Sequence, residues 1–172
     1  MEQKGQTEYT LDSTVLYVVR KRLVTDLSEQ IRTCVATLND EEIWWRPNEK
    51  ANSVGNLVLH LCGSTRSYLL FAIGGRAFER DRAAEFEARH SASKQELTDL
   101  FISTISDCDA LLSTLDPARL MEKTDRTGKQ TTFVQILLHV LSHFSAHTGQ
   151  IVYTTKMLKE GAIVELWMKT RS

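Results

Sequence analysis

The chain has 172 residues, a formal net charge of −1, 42% hydrophobic and 25% charged residues. That length buries a core without disulfide or metal staples, and a near-neutral charge with no basic stripe argues against a nucleic-acid partner. No run approaches the roughly 18 apolar residues of a membrane span, and the polar start MEQKGQTEYTLDS has no apolar signal region. The expectation is one domain over residues 1–172, cytoplasmic, with no membrane partner.

With only two prolines and eight glycines, the chain reads as four helices. The first runs from about Ser13 to Leu38, with Leu16, Val19, Leu23, Leu27, Ile31 and Val35 at three- and four-residue steps. NDEEIWWRPNEKANS breaks that pattern, and Pro47 is its clearest stop. Trp44 and Trp45 in this stretch are expected to pack over the open end of a bundle. The second helix begins after Asn52 or Ser53 and continues to about Ile73. A long connection follows, GGRAFERDRAAEFEARHSA, opened by Gly74 and Gly75.

The third helix starts near Ser93, which forms a capping-box pair with Glu96 and precedes Leu97, Leu100, Phe101, Ile105, Leu111 and Leu112. Pro117 lies just past its end, and the fourth helix spans about Thr131 to Lys159. Four amphipathic helices predict an all-α four-helix bundle. Cys34, Cys62 and Cys108 have no metal-binding spacing and read as small buried hydrophobes in a reducing compartment.

The fourth helix carries LLHVLSHFSAHTGQI, with His139, His143 and His147 at four-residue intervals. At about 100° per residue, His147 falls about 20° and His143 about 60° from Val140 on the apolar arc, and His139 about 100° away at its edge. On the second helix, His60 falls about 60° from Leu57, again on the apolar side. Inward histidines are either core residues bonded to neighbours or ligands to an ion, and helix geometry leaves both readings open.

If an ion is held, His139 and His147 cannot share it. They lie about 12 Å apart along the axis, against metal–nitrogen bonds of about 2.0–2.1 Å. His143 and His147 can share one, with His60 as the inward candidate for a third ligand. His90 lies in the long connection, where Glu87 to His90 matches the Glu-x-x-His of di-iron bundles only once, and that architecture needs two copies.

WWRPNEKANSVGNLVLHL, RDRAAEFEAR and HVLSHFSAHTGQI, in this order and separation, resemble the DinB-like superfamily of metal-binding four-helix bundles. The resemblance implies His60, His143 and His147 as metal ligands, an up-down-down-up order of helices and a homodimer. Thr148 stands where the superfamily commonly has arginine, and Ser142 where asparagine is frequent.

Three imidazoles leave a coordination position open for Zn, Ni, Fe or Mn chemistry. Branches of the superfamily include bacillithiol- and mycothiol-dependent transferases, which implies a small-molecule substrate and a low-molecular-weight thiol. Arg66, Arg76, Arg80 and Arg82 are candidates to meet such an anionic thiol. The alternatives are a hydrolase using metal-bound water, with Glu85 or Glu87 as base, and a non-catalytic metal-binding stress-response bundle.

Overall fold

The computed structural model describes residues 10–161. The Thr10 side chain accepts a hydrogen bond from the Ser13 backbone N–H, and Ser13 returns one to Thr10, so the first helix starts at Leu11, slightly before the apolar period alone marks it. This helix is one rod made of α1 (Leu11–Arg20), a π-wound stretch (Lys21–Leu27) and α2 (Ser28–Thr37). Its six predicted apolar positions are all buried, each worth about 1.5–3 kcal/mol of transfer free energy.

Ser53 and Asn56 cap each other to open α3 (Val54–Thr65), which continues π-wound through Arg66–Ile73. The connection of residues 74–93 contains a short helix, α4 (Arg82–Glu87), with Asp81 as its cap. The expected Ser93–Glu96 box opens α5 (Lys94–Thr114). A 3₁₀ turn (Pro117–Met121) and a hairpin of β1 (Lys123–Thr124) and β2 (Thr131–Thr132), paired antiparallel with Lys123 opposite Thr132, lead into α6 (Phe133–Leu158). Neither α4 nor the hairpin shows in the sequence pattern, because two-residue strands have no alternation to read and six residues span under two turns.

Side-chain contacts fix the helix directions. The Lys94 ammonium donates to the carbonyl of Leu38, and Arg20 pairs with Asp109 at 2.7 Å, so the first rod and α5 run antiparallel. Asn56 bonds the backbone of the connection just before α5, and the far end of the second rod meets the far end of α5 through Arg76 and Asp107. The two middle helices are therefore parallel. His60 meets His143 and Tyr68 meets His139, which sets α6 antiparallel to α3. The order is up-down-down-up.

The shared core includes Leu23, Ile31, Leu61, Leu69, Leu97, Leu112, Ile136 and Phe144, all fully buried. Trp44 is also buried. Its indole N–H donates to Ala92 O at 2.9 Å, and its ring lies against Gly55, where a Cβ would stand only 3.0 Å from ring carbons. Trp45 is half-buried beside it, at the end where the first rod stops and α3 and α5 start. Among the described residues no helix is long and apolar enough to cross a membrane.

Candidate metal centre

The antiparallel contact of α3 and α6 brings His60, His143 and His147 together, with one nitrogen of each within 4.8 Å of the others. The Nε2 atoms of His60 and His147 lie 3.0 and 3.1 Å from Nε2 of His143. An ion bound by bonds of about 2.0–2.1 Å holds neighbouring nitrogens roughly 2.9–3.4 Å apart, so these two spacings fit, with the His60–His147 pair within 4.8 Å.

The opposite edges of two of these rings are already committed. The His60 Nδ1–H donates to Glu85 Oε2 at 2.9 Å, and the His147 Nδ1–H donates to Gln150 Oε1 at 2.7 Å. Both rings are thereby held as tautomers with a bare Nε2 lone pair aimed at His143. A proton on His143 Nε2 can satisfy one of them, and the other is left facing nitrogen. A cation satisfies all three.

Protonation of the cluster is resisted. Burial, then the neighbouring His147, His60 and His139 and the Arg80 cation, lower the His143 pKa to about 4. Burial likewise lowers that of His60, in opposition to the raising effect of Glu85. Neutral imidazoles are the form that ligates a metal.

Glu85 is the residue that sequence reasoning misplaced. It is buried, and Arg80 grips it with two bonds of 2.7 Å, from Nε to Oε1 and from Nη2 to Oε2. It stands behind His60 on the Nδ1 side, turned away from the converging Nε2 atoms, so it orients the ring and cannot serve as a base on the open side. Two neighbours make room for it. Gly63 lies so close that a Cβ there would overlap Glu85 Oε1, and the Asn56 amide holds α4 in place through the carbonyls of Glu85 and Ala88, each at 3.0 Å. Glu87 is exposed.

The other expected anchors are dispersed. Arg76 is paired with Asp107, Arg80 with Glu85, and the Arg82 guanidinium lies over the Phe86 ring, which in turn packs on His60 at 4.5 Å between centroids. The Arg66 side chain makes no hydrogen bond, ion pair or ring contact among the described residues, and that of Arg82 makes only its contact with the Phe86 ring. His139 is exposed. Its ring stacks on His143 at 5.9 Å and meets Tyr68 at 4.7 Å, but it contributes no nitrogen to the cluster. His90, at φ 52, sits against Trp44 and is outside the group. The three cysteines are buried, and burial raises their thiols, Cys34 to about 11 and Cys62 and Cys108 to about 12.

A helical bundle of this order has a DinB-like fold. Two solved DinB-like proteins superpose on it. One from Bacillus cereus has a TM-score of 0.63 and 17% identity, covering 78% of this chain and 87% of that one. One from Bacillus subtilis has a TM-score of 0.62 and 17% identity, covering 84% and 94%. The chain belongs to the family described as "Protein of unknown function (DUF1572)", which it matches over residues 12–169. No curated protein sequence matches it.

Proposed function

We propose that this protein is a metal-dependent transferase that activates a low-molecular-weight thiol at a site formed by His60, His143 and His147, working in the cytoplasm as a homodimer of single-domain chains. The observation that carries the reading is the convergence of three Nε2 atoms at 3.0 and 3.1 Å, with the far edges of His60 and His147 held by Glu85 and Gln150. A divalent Zn, Ni, Fe or Mn ion there would supply Lewis acidity, which favours the thiolate form of a thiol at neutral pH.

The chain's own part is positional. His60 and His147 present fixed lone pairs, and His143, held neutral, completes the donor set. Its own thiols are withdrawn from chemistry by burial, so a sulfur nucleophile must come from a small molecule. The thiol sulfur would bond to an electrophilic carbon, a leaving group would depart with its electron pair, and the thiol proton would go to solvent. The hydrolase alternative wants a carboxylate on the Nε2 side, and Glu85, its best candidate, faces the other edge of His60.

Metal content of tag-free protein, measured by mass spectrometry beside a His143→Ala variant, tests the site. About one equivalent of a transition metal, lost in the variant, is expected. Metal-dependent consumption of a thiol and an electrophile together would then support the transferase. Hydrolysis without thiol would replace it, and a metal-loaded chain that does neither would leave a binding bundle.

A further inference from the structure

Behind the Glu85 carboxylate, on the side of His60 away from the histidine cluster, an open cleft of about 700 Å³ runs between α3, the connection carrying α4, and α5. Its apolar walls are Leu59, Phe78 and Leu100, each half-buried. A cavity of that size and lining is of the kind that takes a small molecule with an apolar body.

The charges in this cleft are mostly committed. Asp81 caps α4 by accepting from Ala84 N at 3.0 Å, Glu85 is gripped by Arg80, and Arg89 donates at 2.7 Å to the carbonyls of Phe86 and Ala88. Glu87 is exposed. Nε and Nη2 of Arg89 make no bond among the described residues but sit on an exposed side chain, which leaves two half-buried donor groups. Half-buried Arg66 has no polar partner among the described residues, and neither has Nη1 of Arg80, whose Nε and Nη2 are both taken. Both line this cleft: a Cβ on Gly63 would stand 3.2 Å from Arg80 Nε, and Arg66 lies three residues on, the next position on the helix face of Gly63.

We infer that this cleft binds a small amphipathic carboxylate, whose anionic end meets Arg66 and Nη1 of Arg80 and whose apolar body lies on Leu59, Phe78 and Leu100. A guanidinium edge beside apolar walls is matched by that chemistry, because the carboxylate gains charge-assisted bonds while the hydrocarbon leaves water. The site requires no ion at the histidine cluster.

The test is an ¹⁵N NMR titration of the full metal-free chain with phenylpropionate and, separately, with phenylpropanol, its uncharged counterpart. The expected result is saturable shifts at the amides of Gly63, Arg66 and Ala84, with the carboxylate bound about tenfold more tightly than the alcohol. Arg66→Met should bring the two to near-equal affinity, Arg66→Lys should keep most of the difference, and Lys129→Met, remote from the cleft, should change nothing. Dispersed spectra establish that each variant is folded. Absence of saturable shifts at these amides, equal affinities in the wild type, or a carboxylate advantage that survives Arg66→Met would each overturn the inference. None of these outcomes depends on whether the protein holds a metal.

Discussion

Glu85→Gln isolates the part that the crossover connection plays at the histidine cluster. The carboxylate accepts three bonds, at 2.7 and 2.7 Å from Arg80 and 2.9 Å from His60. A carboxamide of the same shape has one acceptor oxygen, so its NH₂ must face either Arg80 Nε or, in the flipped orientation, Arg80 Nη2 together with the His60 N–H. At least one charge-assisted bond, about 1.5–3 kcal/mol, is lost, and a buried donor meets a donor. The expected loss is about 2–4 kcal/mol, which for a chain of this size is roughly 5–15 °C in Tm.

The same change frees the His60 ring to adopt its other tautomer, so zinc affinity should fall by about 10–100-fold. Competition against a chromophoric zinc chelator and thermal melting of the metal-free protein read the two effects separately. A variant that melts early but binds zinc as tightly as the wild type would show that Glu85 only packs, and the orienting argument would be wrong.

Gly63→Ala should act as a silent copy of that variant. Its methyl overlaps Glu85 Oε1, so zinc binding should weaken while all three histidines and both partners remain; unchanged affinity would mean Glu85 can shift without consequence. The metal-free protein should also lose stability in acid. His60 and His143 are ordinary imidazoles of pKa near 6.5 when unfolded and lowered when folded, His143 to about 4. Above 6.5 neither state binds the protons and stability is flat. As pH falls from 6.5 toward about 4 the unfolded chain takes up protons that the folded chain refuses, so stability drops. Urea unfolding across this window should show the fall, and His143→Gln should flatten part of it; an equal slope in both would refute the assignment.

The four long helices were legible because each announces itself locally. Ser53 and Ser93 stand as caps where the sequence puts them, and the three- and four-residue steps of Leu16 to Val35 mark a buried stripe. The same periodicity separated His143 and His147 from His139. The π-wound stretches were not legible, since a shift from four- to five-residue bonding leaves composition unchanged. Nor was the partnership of Arg80 and Glu85 with His60, which lie 20 and 25 residues away in sequence. Asp81 caps RAAEFE, but a cap ahead of fewer than two turns does not say which residue faces inward. The direct test is long-range: only once the middle helices are known to be parallel does the connection have to pass behind His60.

That parallel arrangement has a geometric consequence of its own. To start α5 beside the start of α3, the chain must climb back along a rod of about 30 Å, a journey that roughly nine or ten extended residues could make. Residues 74–93 supply about twice that length. The surplus is wound into α4, and from there come the carboxylate and guanidinium behind His60. An alternating bundle, whose helices turn back through a few residues, would have no such slack and no place from which to deliver Glu85. The return path is therefore where this fold can vary the setting of its histidines while leaving every core helix untouched.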